Sequence, residues 1–398
     1  MKPHTSFLPH EALEKVLHGV TPLAVEEVAL ERALYRVLAV PLDARLQDPR
    51  FNKSAVDGIG IRGDDDSPMF EVTAEIAAGD GSAHRLQRGQ AVRIMTGAPV
   101  PPDVSQVIKL ENCSFDGSRA RVVEPERISN IAMQGENIRV GQPLLSPRRL
   151  QPPDIGVLAS QGYRTLSVHR QPRVAVIATG DEIYPADAEL PPAGIYDSNS
   201  HQLAAFARDA YADVTNFGIV GDSPDRIREA LREAVSAHDV VMLSGGVSMG
   251  DLDFVPEALA DIGAEVVFHG VAMKPGRPTL YAIVGDAPRI SRIFGLPGNP
   301  VSTAVQFELL VRPLIWALEG ATYVPREARL PLPDGYRRAN AERHEFLPGV
   351  CRDGSVVPLA YKGSGHISVL AEATLFYAIE PGVHSVEPGG KVHVRFIR

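Results

Sequence analysis

The feature that most constrains the fold of this 398-residue chain is an alternation of strand and helix patterns between Arg173 and Leu296. Short apolar runs such as "RVAVIA" and "DVVMLS" alternate with segments of helical spacing, for example near residues 199–210 and over 224–237. Strands that alternate with helices indicate crossover connections and therefore a parallel sheet. The pattern predicts a doubly wound α/β domain in this part of the chain.

Each polar, glycine-rich segment in this region follows a predicted strand. The four segments are "TGDE" at 179–182, "GD" at 221–222, "SGGVSMGDLD" at 244–253 and "LPGNP" at 296–300. In open α/β sheets, ligands bind at the carboxyl ends of the strands. We therefore expect the four segments to line one crevice.

The segment "SGGVSMGDLD" combines small residues with two carboxylates, Asp251 and Asp253. Small residues after a strand let backbone N–H groups close around an anion such as phosphate. The carboxylates would repel a bare phosphate, so the combination predicts a phosphate bridged by a cation such as Mg²⁺. The small residues are Ser244, Gly245, Gly246, Ser248 and Gly250.

The segment "TGDE" suits the same kind of ligand. Thr179 and the backbone of Gly180 suit a phosphate or a pterin-type ring. Asp181 and Glu182 suit metal binding or proton transfer. An ordinary strand-to-helix turn is the alternative, and the position of the segment after a strand favours the functional interpretation.

The segment "LPGNPVS" places a rigid residue, Pro297, and a flexible one, Gly298, before a helix expected to begin near Val301. The N–H groups at the start of that helix would face the ligand in the crevice. A helix cap by Asn299 is the alternative, and the two roles are compatible.

The segment "MKPGRPT" places Lys274 and Arg277 on either side of Pro275 and Gly276. Basic residues on a kinked loop suggest an oxyanion-binding site. A solvated charge pair is the alternative, and the sequence leaves the choice open.

Outside the α/β region the patterns predict helical and β-rich parts. Apolar residues recur at helical spacing over Pro9–Val20 and Leu30–Leu38, and a further helix is expected from Asp154. Short strand-like runs follow Phe51, and the run "KVHVRFI" indicates a second β domain. We expect domain I at 1–50 and 140–170, an inserted β domain II at 51–139, the α/β domain III at 171–320 and a β domain IV at 321–398.

Charge and composition exclude several classes of partner and site. The net charge of −9 and the pI near 5.8 argue against a nucleic-acid or anionic-membrane partner. No apolar run approaches the roughly 20 residues that span a bilayer, and "MKPHTSFLPHEALEK" lacks the apolar centre of a signal peptide. Cys113 and Cys351 form no CxxC motif, which excludes a disulfide framework or a cysteine zinc site. We expect a cytoplasmic protein with small-molecule or protein partners.

Seven motifs, in order along the chain, resemble those of the molybdopterin molybdenumtransferase family, known as MoeA and, in animals, as the gephyrin E domain. They are "SAVDG", "RIMTGAPVP", "ATGDEI", "IYDSN", "LSGGVSMGDLDF", "MKPGRP" and "GLPGNPVS". Each motif alone is a weak signal, but seven in order are specific and extend over nearly the whole chain. The resemblance implies a MogA-like central α/β domain, an inserted small β domain and a C-terminal β-barrel domain.

The resemblance implies an enzyme of molybdenum cofactor biosynthesis. Such proteins take adenylylated molybdopterin, cleave the adenylate with a divalent cation, Mg²⁺, present, and transfer molybdate onto the dithiolene sulfurs, giving molybdenum cofactor and AMP. By motif match, the catalytic positions fall on Asp57, Thr96, Glu182, Asp222 and Asp253, of which Glu182 and Asp253 would serve Mg²⁺. The cofactor-binding positions fall on Thr179, Gly180, Asp181, Asp197, Asn199, Ser244, Gly245, Gly246, Ser248, Gly250, Lys274, Pro275, Gly276, Arg277, Pro297, Gly298, Asn299 and Ser364.

The resemblance also implies a homodimer in which Asp57 and Thr96 of one subunit act with the α/β domain of the other. By themselves, these two residues indicate only surface turns. A molybdopterin adenylyltransferase and molybdoenzyme acceptors are the implied protein partners.

The chain departs from the family pattern at four places. It has Asn52-Lys53-Ser54, Ile59, Gly141-Gln142 and Arg277 where the family usually has Asp-Asn-Ser, an aromatic residue, Gly-Glu-Asp and lysine. These changes make a molybdopterin-binding carrier that no longer turns over the alternative hypothesis. The survival of all five catalytic positions favours the enzyme, and the absence of a GxxxxGK[ST] loop disfavours a generic nucleotide-phosphate hydrolase.

Overall fold

The computed structural model of the protein describes residues 6–246, 254–286 and 289–398. The chain forms two compact units. One contains Met1–Glu27, Tyr35–Ala39 and Ser167–Arg398, and the other contains Val28–Leu34 and Val40–Leu166. The finer division into four domains stays a prediction.

The first unit is built around a six-stranded sheet. Its four parallel strands lie side by side in the order β2-β1-β3-β6, and β5 and β4 continue the sheet with antiparallel pairing. The strands are β1 (Arg173–Thr179), β2 (Asp213–Val220), β3 (Val240–Ser244), β4 (Glu265–His269), β5 (Leu280–Val284) and β6 (Ser291–Leu296). The connecting helices are α1 (Asn199–Asp209), α2 (Pro224–Ala237) and α3 (Val255–Asp261).

Helices cover both faces of this sheet. Because the strands are buried on both sides, their sequences are continuous apolar runs. Along β1, Val174 and Val176 belong to the core that contains Leu203 of α1. The alternate residues Ala175 and Ile177 belong to the core that contains residues of α2 and α3. The predicted doubly wound α/β domain is therefore confirmed.

A long apolar helix follows β6. It consists of an α-helix at Pro300–Gln306, a π-helical turn at Phe307–Val311 and an α-helix at Arg312–Leu318. Among the described residues this helix alone has the length and composition to cross a membrane, and 89% of its most apolar 18-residue stretch is buried inside the protein. The sequence shows no uninterrupted apolar run of that length, because Glu308 and Arg312 lie within this helix. In the fold they form a buried ion pair, with Arg312 Nη2 2.7 Å from Glu308 Oε1.

The N-terminal segment contains one of the two expected helices. The helix at Pro9–Leu17 is present. The second, expected over Leu30–Leu38, is wrong, because the chain forms a strand at Val25–Ala29 and a 3₁₀ turn at Leu30–Arg32. Tyr35 then adopts φ = 62°, a left-handed conformation that ends any helix.

The second unit contains a six-stranded sheet close to the one expected from the sequence. Helix Pro152–Ser160 and short pairs such as Lys53–Ser54 with Ile131–Ala132 and Leu42–Asp43 with Pro143–Leu145 lie outside that sheet. In spatial order the sheet's strands are Gln106–Lys109, Gly58–Ile61, Gln90–Ile94, Phe70–Ile76, Arg119–Val122 and Cys113–Asp116.

The C-terminal part of the first unit is a β domain. In spatial order its main strands are Met273–Lys274, His344–Arg352, Leu375–Ile379, Gly390–Phe396 and Glu327–Leu332. Ser355–Pro358 pairs with His344–Arg352, Tyr336–Arg337 pairs with Ser385–Val386, and a short helix lies at Val369–Glu372. The edge strand Met273–Lys274 comes from the α/β region, so the "MKPGRPT" loop is anchored in this C-terminal sheet.

Candidate active site

Four of the predicted loops lie at one edge of the central sheet. They follow β2, β1, β3 and β6, the four adjacent parallel strands, at their carboxyl ends. Ser244 at the end of β3 is paired with Ala178 on one side and with Leu296 on the other. The described parts of the four loops therefore lie together at one edge of the sheet, as predicted, and we refer to this place as the crevice. Ser248, Gly250, Asp251 and Asp253 lie outside the described residues.

The loop after β3 packs tightly against the end of β1. Gly245 has φ = 100°, and a Cβ atom at this position would lie 2.4 Å from the carbonyl oxygen of Thr179. Glycine is required here by both conformation and space. Thr179 and Ser244 are themselves buried, so this part of the crevice is preorganised.

Substitution of Gly245 by alanine is expected to destabilise the protein by about 1 kcal/mol for the left-handed conformation and roughly 1–3 kcal/mol more for the steric overlap. Thermal unfolding measures the loss. Gly263→Ala is the matched control, since Gly263 has φ = 74° and no atom within 4 Å of its added Cβ. Equal losses in the two variants would show that the packing against Thr179 contributes nothing.

Asn199 ties three segments of the crevice together. Its Nδ2 donates to Ser244 Oγ at 2.8 Å and to the carbonyl of Gly298 at 2.7 Å. The residue is 7% exposed, and its Oδ1 has no hydrogen-bond partner among the described residues. The neighbouring Asp197 instead accepts from the backbone N–H and the hydroxyl of Ser200 at the start of α1. Asp197 therefore has a structural role, because it satisfies a backbone N–H in the first turn of α1.

The acidic residues of the crevice lie on adjacent loops. The backbone N–H of Asp222 donates to Asp181 Oδ1 at 3.0 Å, and that of Asp181 donates to Asp222 Oδ2 at 3.4 Å. Glu182 is exposed next to them, with its carboxylate above Gly180, whose added Cβ would lie 2.7 Å from Glu182 Oε2. The loops after β1 and β2 thus bring Asp181, Glu182 and Asp222 to one place.

These oxygens suit a hard divalent cation. Within residues 6–246, 254–286 and 289–398, no group of three or more His, Cys, Asp or Glu side chains is arranged to hold a metal ion. Mg²⁺ usually takes only one or two carboxylates and completes its shell with substrate phosphates and water. The exposed carboxylate of Glu182, beside a loop that suits phosphate, fits this mode of binding.

A second concavity lies between the α/β part and the C-terminal sheet of the first unit. Its volume is about 860 Å³, and its lining includes Lys274, Arg277, Ser302, Arg343, Glu345 and Ser364. Within the described part of the chain, neither Arg277 nor Arg343 has a carboxylate at ion-pair distance, whereas Lys274 Nζ lies 2.7 Å from Glu345 Oε1. Within the described structure the cavity therefore presents two unpaired positive charges, at Arg277 and Arg343, together with one exposed carboxylate, Asp334; the positive charges suit an oxyanion.

The "MKPGRPT" loop is held in place by hydrogen bonds to the carbonyl of Gly276. The carbonyl of Gly276 accepts from Gln306 Nε2 at 2.7 Å and from Thr279 Oγ1 at 2.8 Å. Gln306 is fully buried, and an added Cβ on Gly276 would lie 2.2 Å from its Nε2. The sequence left open an oxyanion site or a solvated charge pair at Lys274 and Arg277; in the structure Lys274 is exposed and pairs with the buried Glu345.

The "LPGNP" segment connects the crevice to the cavity. Gly298 contacts Asn199 in the crevice, whereas Pro297 and Asn299 line the cavity. The side chain of Asn299 makes no capping hydrogen bond within the described structure, so the helix cap expected as an alternative is absent. The backbone N–H of Val301 donates to the carbonyl of Ser364 at 3.0 Å, which brings Ser364 to the same cavity.

Several lining residues had no signal in the sequence. Arg343, Glu345 and Tyr336 belong to strands or turns of the C-terminal sheet, far along the chain from the "MKPGRPT" loop. Only the pairing of Lys274 with Glu345 across two strands brings them to the loop. Ser302 lies within the "LPGNPVS" motif, so its small polar side chain was the one available signal.

Asp57 and Thr96 are joined to each other in the second unit. Both are exposed, as expected for turns, and Asp57 Oδ1 accepts from the Thr96 backbone N–H and hydroxyl, each at 2.7 Å. The backbone hydrogen bond from Thr96, followed by the hydroxyl hydrogen bond, lowers the pKa of Asp57 below its ordinary value. Asp57 therefore stays ionised at neutral pH, with Thr96 as its fixed partner.

The fold and these sites define the chain as a protein with a molybdopterin-binding type of domain. Residues 175–317 match the model of a probable molybdopterin binding domain. Residues 9–162 match the MoeA N-terminal region (domain I and II), and residues 330–397 match the MoeA C-terminal region (domain IV).

Whole-chain comparisons give the particular family. The chain is 32% identical to the molybdopterin molybdenumtransferase of Staphylococcus epidermidis, with 96% of this chain and 94% of the relative covered. It is 34% identical to that of Bacillus subtilis, with 98% and 93% covered. A molybdopterin biosynthesis MoeA protein from Pyrococcus horikosii superposes with a TM-score of 0.85 at 28% identity, covering 99% of this chain and 100% of that chain. The chain belongs to the molybdopterin molybdenumtransferase (MoeA) family.

Proposed function

We propose that this protein is a molybdopterin molybdenumtransferase, which inserts molybdate into adenylylated molybdopterin with release of AMP. One observation carries the proposal: a crevice suited to a phosphate lies next to a positively charged cavity, and the "LPGNP" segment contributes to both. The substrate has the matching pair of groups, a pyrophosphate and a dithiolene that receives an oxyanion.

The residues divide between the two reacting ends of the substrate. We infer that the loop of Thr179, Gly245 and Gly246 holds the phosphate through backbone N–H groups. On the oxyanion side, Lys274, Arg277 and Arg343 supply positive charge, and Ser302 and Ser364 supply hydroxyl donors. Asn199 holds the crevice loops at a fixed distance from each other.

The reaction has two parts, one at the pyrophosphate of the substrate and one at its dithiolene. At the pyrophosphate, a P–O bond breaks with water as nucleophile and AMP leaves. At the dithiolene, two sulfurs replace two oxygen atoms of molybdate, which leave as water after proton uptake. We assign Glu182, Asp222 and Asp253 to the pyrophosphate end, where a carboxylate can orient or deprotonate the attacking water.

A divalent cation belongs to the pyrophosphate end of this proposal. We infer that Glu182 and Asp253 hold Mg²⁺ together with phosphate oxygens, as Mg²⁺ sites with few protein ligands do. When bound, Mg²⁺ would neutralise negative charge on the pyrophosphate.

The proposal extends to the oligomeric state, the location and the protein partners. We propose a homodimer in which Asp57 and Thr96 of one subunit complete the reaction at the α/β domain of the other, in the cytoplasm. The structure holds these two residues together by two hydrogen bonds, which supports a joint role for them. An adenylyltransferase that supplies the substrate and molybdoenzymes that accept the cofactor are the proposed protein partners.

The carrier alternative is not favoured. All the relatives named above carry the transferase or MoeA description, and Asp57, Thr96, Glu182 and Asp222 are present with their local contacts. Lys53, the most conspicuous departure from the family pattern, lies in a short strand paired with Ile131–Ala132.

The decisive experiment mixes the purified protein with adenylylated molybdopterin, Mg²⁺ and molybdate, and measures AMP and molybdenum-loaded cofactor in parallel. We expect both products, and neither when EDTA replaces Mg²⁺. Tight binding of the substrate without either product would leave only the carrier. Light scattering on the same preparation tests the assembly, since an active monomer would contradict the homodimer.

A further inference from the structure

A buried carboxylate lies on the wall of the cavity that is proposed to bind an anion. Glu345 is 2% exposed and belongs to the cavity lining together with Lys274, Arg277 and Arg343. A negative charge at this place opposes the binding of a dianion, and burial makes an ionised carboxylate costly unless it is paired. The position of Glu345 therefore needs a reason.

The sheet fixes Glu345 opposite Lys274. The two residues are direct partners in the parallel pairing of Met273–Lys274 with His344–Arg352. Lys274 Nζ lies 2.7 Å from Glu345 Oε1, and the lysine side chain is 58% exposed while the glutamate side chain is 2% exposed. The carboxylate is held rigidly, whereas the ammonium group lies at the end of a flexible and accessible chain.

The other oxygen of Glu345 has separate partners. Its Oε2 lies 3.3 Å from Arg338 Nη1 and accepts from Tyr336 Oη at 3.1 Å. Arg338 also donates to the carbonyls of Val383 and Arg343, at 2.8 and 2.9 Å. Arg338 therefore anchors the carboxylate and keeps its own hydrogen bonds, so Lys274 is free to leave Glu345 without stranding a buried charge.

The field of Glu345 reaches the tyrosines of the cavity wall. Burial first, and then the charge of Glu345, raises the pKa of Tyr336 and of Tyr361 to about 12. Both hydroxyls are protonated at neutral pH, so the carboxylates of the cavity wall are the buried Glu345 and the exposed Asp334.

We propose that Glu345 is an affinity-setting residue that competes with the bound oxyanion for Lys274. This inference rests on the proposed function, because it takes the cavity as the molybdate site. In the free protein Lys274 pairs with Glu345, and oxyanion binding draws the ammonium group away from it. Lys274 therefore contributes less to the free energy of oxyanion binding, because its ion pair with Glu345 is lost when the oxyanion binds. Molybdate is held weakly enough to leave the cavity for the dithiolene.

The proposal predicts that molybdate binds more tightly when the negative charge of Glu345 is removed. Glu345→Gln keeps the shape of the side chain and removes the competitor, so molybdate should bind at least about tenfold more tightly, a change of 1.4 kcal/mol. Lys274→Met should weaken binding in both backgrounds. The loss should be larger when Glu345 is already glutamine, because only there is the full attraction of Lys274 available.

The experiment is equilibrium dialysis of molybdate against the full-length protein, without the adenylylated substrate. The four proteins of the Lys274→Met and Glu345→Gln double-mutant cycle are compared. Glu372→Gln is the control, since it removes one carboxylate from an exposed position on the short helix Val369–Glu372. It should leave the molybdate affinity unchanged.

A second variant covers the possibility that Glu345→Gln does not fold. Glu345→Asp keeps the negative charge but withdraws it by one methylene group from Lys274, which weakens the competing pair, and should tighten molybdate binding at least about threefold. Unchanged or weaker binding in the folded variants would overturn the inference and leave the proposed function standing. If the native protein binds no molybdate at all, the oxyanion site of the proposed function fails, and the inference fails with it.

Discussion

Glu182→Gln is expected to lower kcat for AMP release by at least about a hundredfold, the usual contribution of a positioned acid–base or metal-binding carboxylate. The side chain is exposed at the crevice, beside the loop that follows β1, and its carboxylate lies above Gly180. Glutamine has the same shape, so substrate binding should persist while the charge at the pyrophosphate is lost. Rapid-quench measurement of AMP at saturating substrate gives kcat, and fluorescence titration gives the dissociation constant.

Glu189→Gln is the matched control for this prediction. Glu189 is exposed in the same connection between β1 and α1, so its replacement changes the net charge equally. The control should retain the native kcat. A variant at Glu182 that keeps native turnover at saturating Mg²⁺ would remove Glu182 from the mechanism, whereas a loss that excess Mg²⁺ restores would assign it to the cation alone.

Arg343→Met is expected to raise the KM for molybdate roughly tenfold to a hundredfold, since a hydrogen bond to a charged group contributes about 1.5–3 kcal/mol. Arg343 is half-buried on the wall of the cavity and has no carboxylate at ion-pair distance in the described structure. Its charge is therefore available to an oxyanion. The change should be confined to KM when kcat is measured at saturating molybdate, because the interaction exists in the bound ground state as well.

Arg352→Met provides the control for Arg343. Arg352 belongs to the same strand, His344–Arg352, but is exposed where that strand meets a turn. Its replacement should leave the molybdate KM unchanged. An increase in the KM for adenylylated molybdopterin in Arg343→Met, with no change for molybdate, would place Arg343 at the other substrate and contradict the assignment of the cavity.

Local sequence patterns predicted the central sheet well because they follow directly from burial. The strands β1 and β3 are covered on both faces, so each shows as an apolar run followed by a polar loop. The pattern over Leu30–Leu38 predicted an α-helix wrongly, because Leu30, Ala33 and Val37 are buried at helical spacing although the segment contains only the 3₁₀ turn Leu30–Arg32. The spacing of apolar residues indicates which residues are buried. A segment without regular secondary structure can also bury residues at the spacing typical of a helix.

Some residues of the candidate site could also be predicted from local sequence patterns. Thr179, Gly245 and Pro297 could be predicted because a crevice loop must follow its strand, and the strand is visible in the sequence. The sequence also specified the small residues of the loop after β3 and, through its ordered motifs, the family. These features are local, since each depends on residues that are neighbours along the chain.

Only the tertiary structure decided which charges in the cavity lined by Lys274 and Glu345 are paired and which are free. Lys274 and Glu345 meet because two strands distant in sequence pair in one register, and a carboxylate buried on a cavity wall shows no pattern in its own segment. The same holds for Asn199, whose two hydrogen bonds join loops that follow different strands. Electrostatic partners are chosen by distance in space, and that distance is set by sheet pairing and packing rather than by local composition.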